Sequence, residues 1–409
     1  MGLCFHKKYD VAVIGAGVAG VAAAVTAAKR GRKVVLIEKQ TIIGGLATSG
    51  LIYIFLPLCD GFGTQVISGL TEKMIRACPE FGPFDLHKKF GGDTLRMHRN
   101  SGRFEVEFSP AGFTLTLDEM LEEANVDLWL DTLVCDVHCE GSRVVAIEAE
   151  NISGRGLIEA DCFVDASGSA ILVRKAGGRV FHDINHHTMW FMETAPNASH
   201  YHFSGDIHIQ PLSFKTPDFP GEAACDGKNV TQFTRLAWKE LRKYYRADYA
   251  GAQVSSYEHY PLHLPGMAQF RKIAGIAGKT IIQPGDNQKK VSDSIGMTGD
   301  WRQPGPVWET PFGALVPETV DGVFAAGRCI ASSGDSWEVY RVIPAAAMTG
   351  EAAGTAAAIA SEKGISAASV SVEEVQSALR DSGIKLHLDE VGLPYGVVPE
   401  FHGKLRTEQ

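Results

Sequence analysis

Gly15, Gly17 and Gly20 form the spacing G-x-G-x-x-G, directly after the β-branched run Tyr9–Ile14 and before an alanine-rich segment. That spacing suits a pyrophosphate. Gly15 permits a tight turn, Gly17 lets the anion approach the backbone, and Gly20 lets the following helix pack close to its strand. The helix start at Val18 and Ala19 adds free N–H groups and the positive end of a dipole. A second apolar run, Lys33–Ile37, then delivers Glu38 and Lys39. Glu38 is placed to accept hydrogen bonds from a ribose diol, and an acid there disfavours the 2′-phosphate of NADP.

These residues need a strand, a helix and a second strand to position them, so a βαβ unit is expected over the first forty residues, its helix running from Val21 to Lys29. The next segment, Gln40–Gly50, contains Gly44, Gly45, Leu46, Ala47 and Thr48, a glycine-rich loop where an NAD dehydrogenase would usually continue with another helix and strand. Such a loop suits backbone wrapped around an extended cofactor, which favours FAD. Two later strands end in small-residue turns: Asp161–Asp165 before Ala166, Ser167 and Gly168, and Asp321–Ala326 before Gly327 and Arg328. The second leads to a helix beginning near Pro344, where a missing N–H is harmless. Leu133–Val137 and Val144–Ile147 read as a hairpin, Thr116–Ala124 as a helix capped by Thr or Asp, Val126–Leu130 as a strand, and Val372–Arg380 as a last helix.

Composition narrows the class. The 409 residues carry 39 Lys+Arg against 48 Asp+Glu, a net charge of −9, so no basic stripe is available for nucleic acid. Forty-four glycines exceed the typical share of about 7% and imply many turns and close approaches to a ligand. No run reaches the roughly 18 apolar residues of a membrane span. The eight cysteines include no C-x-x-C pair, which argues against a disulfide scaffold or zinc ribbon and for a cytoplasmic setting.

The segments GAGVAG, Glu38, GGLATSG, VDASG, Asp293–Gly296 and AGRCIASSGDSWEVYRVIPAAAMTGEAAGTAAA resemble the FAD-dependent oxidoreductase family, which is distantly similar to the fumarate reductase and succinate dehydrogenase flavoproteins. The resemblance implies an α/β fold: a Rossmann-type FAD-binding domain of the glutathione-reductase type, interleaved with an α+β substrate/cap domain. The FAD-binding domain is expected over 1–85, 110–180 and 306–365, the cap over 86–109 and 181–305, and a C-terminal helix and tail over 366–409. It further implies that Val134 holds the adenine through its backbone. Val342 and Ala345, at the start of the Pro344 helix, would return to the flavin and turn a helix dipole on its N1/O2 edge.

The 181–305 stretch is richer in aromatics and prolines, and holds six of the fourteen histidines (182, 186, 187, 200, 202, 208). Their spacing matches no metal motif, so no metal is expected. Hydride chemistry needs a proton manager and a substrate clamp. The family resemblance points to arginines, here Arg271 and Arg341, although Ala268-Gln269-Phe270 stands where relatives often carry Arg-Glu-Ser. His259 and His263 are the alternative, since imidazole exchanges protons near neutral pH. The expected activity is hydride transfer between flavin N5 and a small organic substrate, which an acidic protein can still bind as an anion. A separate electron donor or acceptor and an oligomer are both compatible with the sequence. The rival readings are a monooxygenase using external NAD(P)H and a flavin-bound partner subunit without a reaction of its own.

Overall fold

The computed structural model describes residues 3–84, 86, 102, 104–183, 188–196, 202–214, 226–251 and 254–399. His186, His187 and His200 lie outside them.

The N-terminal run forms strand β1 (His6–Ile14), followed by helix α1 (Val18–Lys29) and strand β2 (Val34–Ile37). Helix α1 starts three residues before the expected Val21, because Gly17 already serves as its N-cap. Helix α2 (Leu70–Ala77) and helix α3 (Pro110–Glu123) come next. Helix α3 begins six residues earlier than the sequence pattern suggested: its cap is Ser109, whose side chain accepts from Gly112 N, and Pro110 fills the first turn. Thr116, the expected cap, instead donates its hydroxyl to Gly112 O inside the helix.

Strands β3 (Asp127–Trp129), β4 (Leu133–Glu140), β5 (Arg143–Asn151) and β6 (Gly154–Asp165) complete most of one sheet in the order β3-β2-β1-β6-β5-β4. The β4–β5 hairpin is antiparallel, while β3, β2, β1 and β6 run parallel. Register explains where a ligand must go. Ile14 pairs with both Ile37 and Asp165, so β1, β2 and β6 all end at one level, with the glycine turns and Glu38 just beyond. Open parallel sheets bind ligands in the crevice outside these carboxyl ends.

The following stretch builds a second, antiparallel sheet from strands β7 (Thr188–Thr194), β8 (His202–Ser204), β9 (Ile207–Ser213) and β10 (Tyr260–His263), in the order β8-β9-β7-β10. Between β9 and β10 runs helix α4 (Gly227–Ala250), 24 residues long, which the sequence reading did not anticipate. Phe233, Ala237, Leu241 and Tyr245 bury its inner edge at i, i+4 spacing and join Met189, Phe191, Phe214 and Phe270 in a small hydrophobic cluster of their own.

Strand β11 (Val323–Ala325) then returns to the first sheet and pairs in parallel with the last turn of β6, Ala325 opposite Asp165. Helices α5 (Gly334–Tyr340), α6 (Ile343–Lys363) and α7 (Val372–Asp381) follow. Helix α6 lies against α1 almost backbone to backbone. A Cβ on Gly350 would sit 2.1 Å from Ala19 O, and one on Gly354 2.3 Å from Ala23 O. Only glycine permits that approach. The tail docks on the body: Gln376 donates to Ser292 O and Ser294 O, and buried Glu309 accepts from Leu388 N at 2.8 Å and Tyr395 Oη at 2.6 Å. Among the described residues, no single helix is long and apolar enough to cross a membrane.

Candidate functional site

The carboxyl ends of β1, β2, β6 and β11 open into a cleft of about 500 Å³ whose far wall is α4 and the 265–270 loop. At one end stands the glycine turn. Gly15 takes φ +94°, and a Cβ there would meet Ala166 O at 2.8 Å; a Cβ on Gly20 would strike Gly15 O at 1.8 Å. Gly17 differs: its Cβ would meet no atom within 4 Å and would project into open space. No side chain caps α1, so its first N–H groups face the cleft, which Val18 and Ala19 line. Gly44 N donates to Ala16 O at 2.7 Å and brings the Gly44–Ala47 loop beside Gly17.

Glu38 marks the far side of this cradle. Its Oε2 accepts from Ala16 N at 2.8 Å and its Oε1 from Gln40 N at 3.0 Å. Burial pushes its pKa up, while these backbone donors pull against that shift. Each oxygen keeps a further lone pair for a diol. Lys39 also lines the cleft.

At the other end, buried Asp165 accepts from Ser167 Oγ at 2.6 Å and Leu172 N at 2.8 Å, which fixes the Ala166–Gly168 turn. Arg328 is partly buried, and desolvation lowers its pKa. Its Nε donates to Gly168 O at 2.8 Å and its Nη1 to Phe270 O at 2.6 Å, tying the turn to the opposite wall. Gly327 N donates to Thr349 Oγ1 within α6 at 3.0 Å. Like α1, α6 starts without a side-chain cap and carries proline in its first turn.

Arg341 enters the cleft just before α6. Its Nε and Nη2 both reach Glu338 Oε2, at 2.6 and 2.5 Å, and its guanidinium lies 5.6 Å from the Trp301 ring centre. Glu338 Oε1 lies 3.1 Å from Lys272 Nζ, which also pairs with Asp183 at 2.8 Å. Burial opposes the charge on Glu338, yet Arg341 and Lys272 outweigh it and hold the carboxyl below its ordinary range. Arg271 lies partly buried beside this group; desolvation first, and then the charge of Arg341, push its pKa down to about 10.

Gly15, Gly17, Val18, Ala19, Glu38, Lys39, Gly44, Gly45, Leu46, Ala47, Ala166, Ser167, Gly168, Gly327, Arg328 and Arg341 thus come together around one cleft. The remaining expected residues do not line it. Gly20 and Thr48 shape it from behind, Thr48 donating its hydroxyl to Ile43 O at 2.5 Å. Val134 is buried on β4 within the main hydrophobic core. Val342 and Ala345 are out of phase by one residue: Ile343 and Ala346 face the cleft, while Ala345 is fully buried.

The histidines are placed elsewhere. His259 is buried, its Nε2 2.9 Å from Glu193 Oε2 and its Nδ1 2.5 Å from Asp248 Oδ2. Tyr245 Oη donates to the same Glu193 oxygen at 2.6 Å, so this cluster fastens α4 to β7. His263 sits on the exposed edge strand β10. Neither ring lines the cleft, and neither is positioned to move a proton there. Among the described residues, no group of three or more His, Cys, Asp or Glu is arranged to hold a metal.

Sequence reasoning missed the far wall. Val230, Phe233, Thr234, Ala237 and Trp238 line it from α4, and the apolar repeat at 233, 237, 241 and 245 was the available signal. It also missed Gln269, whose buried amide accepts from Trp190 N at 2.6 Å and donates to Gly50 O, clamping the 265–270 loop onto the Gly45–Gly50 loop.

Comparison with known proteins places this arrangement. The sequence profile of a family described as "FAD dependent oxidoreductase" matches residues 10–267 and 282–379. Digeranylgeranylglycerophospholipid reductase 1 of Methanococcoides burtonii is 29% identical over 166 residues, 39% of this chain and 38% of that protein. Fumarate reductase (cytochrome) of Shewanella frigidimarina is 49% identical over 49 residues, 11% of this chain and 9% of that protein. The match therefore spans about two-fifths or less of the length of these relatives. A geranylgeranyl bacteriochlorophyll reductase-like structure from Thermoplasma acidophilum is similar over 93% of this chain and 83% of its own, with 14% identity and a TM-score of 0.48. The family match covers most of the sequence, as the resemblance implied: the chain belongs to the FAD-dependent oxidoreductases, enzymes whose cofactor is FAD.

Proposed function

We propose that this protein moves a hydride between flavin N5 and a small organic substrate, on an FAD-binding domain of the glutathione-reductase type. The observation that carries the reading is that two helices without side-chain caps, α1 and α6, both open on one cleft beside Glu38. The residues fit the cofactor: the space a Cβ would fill at Gly17 suits a pyrophosphate oxygen, and the N–H groups of Val18 and Ala19 suit its charge. Glu38 would accept from a ribose diol, the Gly44–Ala47 loop would wrap the middle of the molecule, and Ala166–Gly168, Gly327, Arg328 and the start of α6 would hold the flavin end. When bound, FAD supplies the hydride donor or acceptor.

The protein's own task is then orientation and charge. The positive end of α6 favours negative charge on a ring placed before it. Arg341 presents a fixed cation, held by Glu338, that orients an anionic group of the substrate. Fumarate reductase (cytochrome) and digeranylgeranylglycerophospholipid reductase, by their names, both reduce carbon compounds, and this supports hydride transfer here. The test is spectroscopic. Purified protein should release about one FAD per chain on denaturation, and its photoreduced flavin should reoxidise anaerobically when the right substrate is added. A chain that holds no FAD overturns the reading. Oxygen consumption dependent on NADPH favours a monooxygenase instead.

A further inference from the structure

Helix α4 is strongly charged, with Lys228, Arg235, Lys239, Arg242 and Lys243 exposed to solvent. One narrow stripe breaks that pattern. Val230, Thr234 and Trp238, at i, i+4 and i+8, line the cleft, flanked by buried Phe233 and Ala237. Val230 and Trp238 keep 36% and 41% of their surface exposed. Large apolar side chains left bare inside a concave site mark surface meant for an apolar ligand. Met267 and Ile273 extend the same wall.

Charge along the cleft is unequally distributed. Glu38 and Lys39 stand at the glycine end, and Arg328 is committed to two backbone carbonyls. Arg341 has Nε and Nη2 on Glu338, and its Nη1 makes no hydrogen bond to any described residue. A largely desolvated cation, its side chain 11% exposed, with a free donor edge is complementary to an anion.

We infer that the substrate is an amphipathic acid: one anionic group held at Arg341, carried on an aliphatic or aromatic body that lies against the Val230–Trp238 stripe. The inference rests on the hydride-transfer reading above and adds the chemical class of the compound that reacts.

The test uses the FAD-loaded protein and a series of simple probes: acetate, hexanoate, decanoate and 1-hexanol. Binding is followed by calorimetry and by perturbation of the flavin absorbance. A fully buried methylene tightens binding about fourfold, so hexanoate should bind at least tenfold tighter than acetate. It should also bind at least tenfold tighter than hexanol. Arg341→Gln should erase the preference for acid over alcohol. Trp238→Ser, on an exposed side chain, should reduce the hexanoate-to-acetate ratio at least fivefold with FAD content unchanged. Equal or undetectable binding across the series in protein that retains FAD overturns this inference alone. So does a Trp238→Ser variant that loses FAD while keeping the ratio, since the stripe would then belong to the cofactor. Protein that takes up no FAD overturns the hydride-transfer reading, and this inference with it.

Discussion

Glu351 lies in the middle of α6, 4% exposed, and its Oε2 accepts from Leu70 N at 3.0 Å. It stands in for the missing side-chain cap of α2, whose N-cap is Gly69. Burial raises its pKa from 4.5 to about 7, against the pull of Leu70 N, Lys73 and Lys29. The sign follows from linkage: a carboxyl with a raised folded pKa costs nothing below its unfolded value near 4.5, where it is protonated in both states. Between pH 4.5 and 7 the unfolded chain ionises first, so stability falls as pH rises, and the full penalty is present above 7. A shift from 4.5 to about 7 corresponds to about 3 kcal/mol at 1.36 kcal/mol per unit. Glu351→Gln keeps an acceptor for Leu70 N and removes the charge. Its melting temperature should equal that of the parent at pH 4.5 and exceed it by about 3–4 °C at pH 8, taking an unfolding entropy of about 2.1 cal/mol/K per residue. Both proteins are to be compared at saturating FAD across pH 4.5–8, so that other titrations cancel. A difference independent of pH, or a variant melting lower at pH 8, would refute the reasoning.

Gly17 separates cofactor binding from fold stability. Gly17→Ala adds a methyl to open space at φ −66°, so the FAD-free melting temperature should stay within about 1 °C while FAD affinity, by fluorescence titration, falls at least tenfold. Gly350→Ala should lower stability: a methyl 2.1 Å from Ala19 O should cost about 1–3 kcal/mol, read as a lower melting temperature. Glu38→Gln, which leaves an acceptor for Ala16 N but only one, should weaken FAD about tenfold in the same titration. Glu193→Ala strips buried His259 and Tyr245 of their shared partner and should cost about 3–5 kcal/mol, with hydrogen exchange rising first in 227–250.

What the sequence disclosed was mostly local. The strand ends, the glycine turns, Glu38 and the return of β11 are written in short motifs, because each needs one residue type at one backbone position. Glu338 was missed, although its pairing with Arg341 spans only three residues on one helical turn. Phase was harder: whether Ala345 or Ala346 meets the cleft depends on how α6 rotates against α1, and a run of small residues does not fix rotation. His259 escaped for a different reason. Its chemistry is set by Glu193, 66 residues away, and Asp248 on α4, and neither contact leaves a trace in spacing. Helix α4 itself was hidden by its surroundings, since the prolines and histidines around it read as loop while its apolar repeat covers only one residue in four.

The two ends of the chain meet at a single residue. Ala19 lines the cleft with its own side chain, and its carbonyl is what Gly350 packs against. Packing of α6 on α1 therefore sets both the position of the α1 N-terminus and the direction of the α6 N-terminus, so the cradle at one end of the cofactor is not independent of the helix at the other. Glu351, the next residue, turns the opposite way and touches α2. It follows that Gly350→Ala must weaken FAD as well as the fold, because the methyl can be accommodated only by moving Ala19, whereas Glu351→Gln must change stability and leave FAD affinity alone. Two neighbouring positions on one helix turn thus separate the packing that builds the site from the packing that only supports it.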